Sequence, residues 1–420
     1  MKVENSKYRR DMGTFGVLFI VVNGLIGAGI FGLPEALYNS VGSFSPWLLL
    51  IGGILVMSVV ICFAELTKLT EKSGGPQRYV GDAFGTYPGF VVGWTFFAAR
   101  LISQGANVLV LVAYAAALWP VLGDGAAKVV LIVAVLGGIT ILNIIGIKRV
   151  IAVLGAMTLL KVLPLLILMF VGIVTSSTSG PVELPKFSAV EGIALAALYA
   201  FVGFENATIP AGETKNPKHS MPRALTLGLA VVTLIYFGLQ WAYSNSVVAG
   251  TMPQAPLTAL AHDYAGDIGA LLIAATIVMS VLANLTAGHT SASRMPPALA
   301  DDGLLPSWFS KVSRWGTPAN AILFFGIGAI LISLWDDFLA LAAVSTLARL
   351  LAYVGSIVAL PVLRKKAGMK ALNSVIILTA PIALLLSFWA VLQTNVTHWQ
   401  ALGGFVVVGT VLYFIARQKQ

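Results

Sequence analysis

Asn23-Gly24-Leu25-Ile26-Gly27-Ala28-Gly29-Ile30-Phe31-Gly32-Leu33-Pro34 lies inside the first long apolar run of the chain. Four glycines and a proline interrupt what is otherwise a membrane-spanning helix. Lipid offers no partner to a freed backbone N–H or C=O. A broken helix therefore persists at membrane depth only where protein buries it or where it lines a cavity. Glycine also lets a ligand approach the backbone closely. Two readings follow: a binding site built on open backbone, or a small-residue face where membrane helices touch.

The rest of the composition fits a membrane. Apolar residues make up 58% of the chain and charged residues 10%, against about 25% charged in a soluble domain. Several apolar runs exceed the ~20 residues needed to cross a ~30 Å hydrocarbon core. The ~10-residue alternating segments of a transmembrane barrel are not visible. The fold class read from this is an all-α polytopic membrane protein. The one cysteine, Cys62, sits in an apolar run, which excludes an intrachain disulfide framework and a cysteine-rich metal site. Residues 1–13 are polar and basic, and the apolar run after them is too long, and lacks the small-residue cleavage site, for a secretory signal. A net charge of +9 would suit a nucleic-acid partner. The basic residues instead sit in short loops, where membrane topology places them, so no nucleic acid is expected.

Twelve spans are predicted, at about 14–39, 46–67, 87–120, 126–146, 150–175, 189–212, 222–247, 267–297, 318–335, 338–362, 372–393 and 399–416. With the N-terminus inside, the inside loops carry most of the 26 lysines and arginines, while the outside loops carry only Lys128 and Lys186. That asymmetry predicts a multi-pass protein of the cytoplasmic membrane with both termini cytoplasmic. The whole chain, 1–420, reads as one transmembrane domain. A cytoplasmic N-terminus (1–13) precedes a first repeat (14–175), a second repeat (189–362) and two extra helices (372–416).

A second interrupted stretch, Leu198-Tyr199-Ala200-Phe201-Val202-Gly203-Phe204-Glu205-Asn206, falls in the sixth span and puts a carboxylate at membrane depth. It continues to Gly212-Glu213-Thr214-Lys215-Asn216-Pro217. Paired interruptions at corresponding places in two halves point to a transporter binding site. Spans one to five and six to ten would then form an inverted repeat, an inference from spacing alone. Half-helix N-termini suit a carboxylate, and unwound carbonyls suit an ammonium group. Two facing breaks can therefore hold a zwitterion, of which an α-amino acid is the common nutrient.

The residues then resemble a family. Gly27-Ala28-Gly29-Ile30-Phe31-Gly32-Leu33-Pro34 resembles the first-helix motif of the amino acid–polyamine–organocation (APC) superfamily. Ala64-Glu65-Leu66, Ser73-Gly74-Gly75-Pro76, Phe84-Gly85 and Gly93-Trp94 resemble its second-loop signature. Phe201-Val202-Gly203-Phe204-Glu205 with Lys215-Asn216-Pro217 resembles its sixth helix and following loop. Ala300-Asp301-Asp302-Gly303-Leu304-Leu305-Pro306 with Gly316-Thr317-Pro318 resembles its eighth-to-ninth loop. The resemblance implies the five-plus-five inverted-repeat (LeuT-like) fold, with helices one and six broken and two C-terminal helices added. It implies a substrate carboxylate on the N–H groups of Ala28 and Gly29. It implies an amino group on the carbonyls of Leu25, Tyr199 and Val202, within a cradle of Leu25–Gly29 and Tyr199–Val202 that includes Ile26, Gly27, Ala200 and Phe201. Tyr199 matches a gating aromatic and Glu205 a proton-pathway glutamate. Arginine-carrying members have an aromatic in the eighth helix, and this chain has Gly288 there or close to it. The departure argues against an arginine or polyamine cargo and for a smaller or more apolar side chain.

Lys161 lies deep in the fifth span, and a charge at that depth costs at least ~2.5–3.5 kcal/mol on insertion scales. It resembles the lysine that replaces a sodium ion in the sodium-independent, cationic-amino-acid-transporter-like branch. Transport without sodium is then expected, with the lysine's own proton a candidate for the coupled species. Otherwise it snorkels or pairs with a glutamate. Glu205 is read as a titrating group, as a cap for the second half-helix, or as both. Arg100 and Arg349 lie near the midplane. Either one faces the cargo and favours an acidic side chain, or each pairs with Glu65, Glu205 or broken-helix carbonyls. Ser103, Gln104 and Asn107 could line a side-chain pocket or simply join helices. His289, with Ser291 and Ser293, is expected to face the region of Lys161; it reads as a packed, hydrogen-bonded histidine in preference to a proton carrier, and with Gly288 it is a candidate for the side-chain pocket. Glu35, near the outer end of span one, is expected to be solvated.

No nucleotide, zinc-protease or serine-nucleophile motif is present, and Asp301-Asp302 and Asp336-Asp337 lack calcium-loop spacing. No enzyme activity, metal or cofactor is expected. The reading is a secondary active transporter of small or medium neutral L-amino acids, proton-coupled or exchanging, working by alternating access in the bilayer. An acidic amino acid drawn by Arg100 or Arg349 is the alternative cargo. A membrane amino acid sensor is the alternative class, disfavoured by the short polar tail beyond Arg417.

Overall fold

Apolar runs of membrane length become helices because the backbone must satisfy its own hydrogen bonds where water is absent. The computed structural model describes residues 13–69, 75–145, 147–175, 181–208, 214–246, 248–249, 255–369 and 373–418, with the side chains of 147–160 excepted. Parts of several expected features, including 1–12, Ser73-Gly74 and 209–213 of the sixth span and its loop, lie outside the described residues. Ten helices are long and apolar enough to cross a membrane, and Ala319–Ser333 is a shorter apolar helix.

Each predicted span falls on helix. Span 1 is Thr14–Leu25 and Ala28–Gly32, followed by Pro34–Val41. Span 2 is Ser45–Leu69, span 3 Thr86–Leu118, span 4 Gly125–Ile145 and span 5 Ile147–Thr175. Span 6 is Phe187–Tyr199 with the 3-10 turn Phe204–Thr208, and span 7 is Pro217–Ser244. Span 8 takes in the part of Pro256–Ala292 beyond its kink at Ala265 and Gly266 and runs into Met295–Asp301, and span 9 is Ala319–Ser333. Spans 10, 11 and 12 are Phe338–Lys366, Ser374–Leu392 and Val396–Arg417. Prolines start several of these helices, where their missing N–H costs nothing. Asp337, Asn373 and Asn395 cap the last three spans through side-chain oxygens.

The packing follows an exchange of each span with the one five places on. Span 5 packs on span 8 as span 10 packs on span 3. Span 5 packs on span 7 as span 10 packs on span 2, and span 4 on span 8 as span 9 on span 3. Spans 2 and 7, 3 and 8, and 4 and 9 pack on each other. The short helices Pro76–Phe84 after span 2 and Pro256–Tyr264 before the kink occupy matching places in the two halves. Spans 11 and 12 add to the outside of this core against spans 2, 3 and 10.

The two breaks meet at the centre. A Cβ built on Gly24 would lie 2.5 Å from the Gly203 carbonyl oxygen, and one on Gly29 would lie 2.7 Å from the Ala200 Cα. Only glycine permits backbones to approach this closely. The small-residue reading of the opening stretch therefore holds for Gly24 and Gly29.

Candidate functional site

Span 1 loses its helix at Ile26 (ψ 80°) and Gly27 (φ −120°, ψ −152°). Its freed carbonyls are taken up by other spans. Asn284 of span 8 donates to the Asn23 carbonyl at 3.0 Å, Tyr236 of span 7 to the Leu25 carbonyl at 2.6 Å, and Lys161 of span 5 to the Ile26 carbonyl at 3.1 Å. Lys161 also donates to the Asn23 side-chain oxygen. Two oxygens that would suit a hard cation are thus occupied by an ammonium group. The N–H groups opening Ala28–Gly32 have no preceding turn of helix to bond to.

Leu25, Gly27, Ala28, Gly29, Tyr199 and Val202 line one cavity of about 400 Å³. Arg100, Ser103, Gln104, Asn107 and Gly288 line its other wall. Ile26, Ala200 and Phe201 are buried behind the lining; the Phe201 ring packs on Tyr236, centroids 5.5 Å apart. Asn23, Asn206, Asn284, Ser291 and Arg349 also reach the cavity. Asn284 carried a signal that went unread: an amide within an apolar span is itself a marker of a pathway or a helix-joining bond.

Tyr199 closes one end. Its hydroxyl meets Ser103 Oγ at 2.9 Å and donates to Asn107 Oδ1 at 3.1 Å. Its ring meets Phe338 edge-to-face, centroids 6.0 Å apart. Beyond Phe338 lies a second cavity of about 730 Å³ lined by Gly32, Glu35, Lys128 and Asp336. Lys128 and Asp336 form an ion pair at its mouth at 2.6 Å. In a Ser103→Cys background, Phe338→Ala is expected to raise thiol labelling from the Lys128–Asp336 side at least about tenfold, by removing a lid over the site. An unchanged labelling rate would mean that Phe338 is not the barrier.

The buried charges sort themselves. Glu205 is fully buried and off the cavity lining. Its Oε1 accepts from Arg349 Nε at 3.1 Å, and its Oε2 from the Gly203 N–H and the Tyr353 hydroxyl, both at 2.8 Å. It acts as an acceptor that fixes the second break. Glu65 pairs instead with Arg364 and Lys68. Arg100 donates to Asn206 Oδ1 and, at 2.8 Å, to Ser291 Oγ.

Two expectations are corrected. His289 does not face Lys161 or the cavity; its ring lies edge-on to Phe325 of span 9, centroids 4.9 Å apart. One residue past Gly288 is a rotation of about 100° around the helix, enough to turn it away. Glu35 is not solvated. It is 3% exposed, with Tyr243 and Asn39 as donors.

The amino acid permease family profile matches residues 12–415. The chain is 28% identical to the serine/threonine exchanger SteT of Bacillus subtilis, over 97% of this chain and 96% of that protein. It is 26% identical to the cadaverine/lysine antiporter of Escherichia coli K12, over 97% and 95%. To the putrescine transporter PotE of the same strain it is 26% identical over 85% and 84%.

Proposed function

The chain belongs to the amino acid permease family, and from that premise we propose that it carries small or medium α-amino acids by sodium-independent alternating access. One observation carries the reading. The two helix breaks face each other across a single cavity, with the N–H end of Ala28–Gly32 on one side and Tyr199 and Val202 on the other. The α-carboxylate sits on the Ala28 and Gly29 N–H groups. The α-ammonium group takes the carbonyls of Tyr199 and Val202, the former accepting only a long 3.4 Å bond from the Val202 N–H, whereas Tyr236 donates to that of Leu25 at 2.6 Å. Lys161 stands where a coordinated cation would be needed, which supports proton coupling or exchange over sodium symport. Two relatives named as an exchanger and an antiporter favour exchange. The basic loops support a reading with both termini on the cytoplasmic side of the cytoplasmic membrane.

Two side-chain classes fit the cavity. A small or medium neutral side chain is within the size of a cavity of about 400 Å³, and an acidic one is drawn by Arg100. A cationic cargo such as the lysine or putrescine named for two relatives is opposed by the same arginine.

Sodium-free proteoliposomes holding the purified chain are expected to accumulate or exchange a labelled amino acid from a panel containing alanine, serine, leucine and glutamate. Lys161→Ala should keep binding, seen as a ligand-induced rise in unfolding temperature, but lose accumulation. An absolute sodium requirement would overturn the coupling reading. Failure to move or bind any member of the panel would overturn the transporter reading.

A further inference from the structure

Arg100 has no direct ion-pair partner among the described residues. Its two bonds go to the neutral side chains of Asn206 and Ser291. Glu205, the acid of the second break, is fully engaged by Arg349, Tyr353 and the Gly203 N–H. Lys161, behind the first break, bonds to the Asn23 side chain and the Ile26 carbonyl and to no carboxylate among the described residues. The cavity lining thus holds two arginines, Arg100 and Arg349, and among the described residues no carboxylate.

An intramembrane cation without a direct ion pair is costly, and such residues ordinarily pair. A guanidinium offers five donors, and Asn206 and Ser291 account for two bonds. The side chain lines the cavity opposite Gly288, where a Cβ would lie 3.8 Å from Arg100 Nη2 and 3.0 Å from Gln104 Oε1. Asn284, one turn earlier on span 8, packs where a Cβ on Gly27 would lie 3.3 Å from its amide nitrogen. From Asn284 to Gly288 the helix advances about 6 Å, the reach of a short side chain that starts at the break.

We propose that Arg100 reads the cargo's side chain and selects an acidic α-amino acid, glutamate or aspartate. The assignment rests on the zwitterion cradle proposed above and names its substrate class. The side-chain carboxylate supplies a direct ion pair by a bidentate, charge-assisted contact with the guanidinium. Asn206 and Ser291 hold the guanidinium toward the cavity while the site is empty.

The test is competition in proteoliposomes of the full chain, with unlabelled glutamate, aspartate, alanine, serine and lysine set against the best labelled cargo. Glutamate or aspartate is expected to compete at least tenfold better than alanine. Arg100→Gln should lower the glutamate-to-alanine affinity ratio about 30-fold, the size of one charge-assisted contact, and Arg100→Lys should restore part of it. A wild-type protein that prefers alanine or serine overturns the assignment, and so does an unchanged ratio in Arg100→Gln, which would leave the arginine a helix-joining role. Should Arg100→Gln fail to fold, the wild-type competition series decides. Transport of neutral amino acids without response to glutamate sinks this assignment alone, whereas no transport of any amino acid sinks the permease reading with it.

Discussion

Gly203→Ala is expected to reduce transport at least about 100-fold, the scale of loss when reacting or binding groups shift by about 1 Å. Gly203 has φ +114°, a region that side chains with a Cβ rarely enter, at about 1–3 kcal/mol of strain. The added carbon would also overlap the carbonyl of Gly24, whose own Cβ would meet the Gly203 oxygen. The two obstacles reinforce each other. The backbone cannot relax without parting the two broken spans, and parting them moves the Ala28–Gly29 N–H groups away from Tyr199 and Val202. Gly192→Ala is the control. It lies in the same span with open space around it and is expected to transport as wild type. Initial uptake rates at matched protein amounts make the comparison, and near-normal uptake by Gly203→Ala would refute a close crossing of the breaks.

Glu205→Ala is expected to lower the stability of the purified protein by about 3–5 kcal/mol, the cost of leaving one partner of a buried ion pair alone. Arg349 is 2% exposed, with only Ser345 and backbone carbonyls of Ala99 and Ser345 left to accept from it. The Gly203 N–H and the Tyr353 hydroxyl lose their acceptor as well. Glu205→Gln keeps an acceptor for the N–H but not the charge, so it should fall between. Replacing both partners, as in Glu205→Ala with Arg349→Met, should recover much of the loss, because apolar replacements of buried pairs are often neutral or better. Thermal unfolding in detergent reads the series. Equal unfolding temperatures for Glu205→Ala and wild type would mean that the pair does not hold the second break.

The fold was largely legible because lipid imposes a length and a composition on each crossing, and the chain obeys both. The breaks at Gly27 and Gly203 were legible for the same reason, since glycine runs and a carboxylate have no place in an ordinary span. The pairing of the charges was not. Arg349 and Arg100 read alike as midplane arginines, yet one sits on Glu205 and the other on Asn206 and Ser291. Which way a side chain points depends on rotation about the helix axis, and a span that is apolar all round carries no amphipathic stripe to fix that rotation. His289 is packed, as read, but on Phe325 and away from the cavity lining, for that reason. Glu35 was misread because its partner Tyr243 comes from span 7, more than two hundred residues away. Asn284 and Tyr236 act through equally distant bonds to the carbonyls of the first break.

Those carbonyl bonds set the entropy of binding. Fixing one residue's backbone costs roughly 1–2 kcal/mol, and an unwound segment left free would add that cost to every encounter with a ligand. Here Asn284, Tyr236 and Lys161 order the stretch from Asn23 to Ile26 when the protein folds. On the proposed cradle, an arriving molecule would meet a rigid receptor for its carboxylate end and lose affinity only to its own immobilisation and to whatever must still move around it.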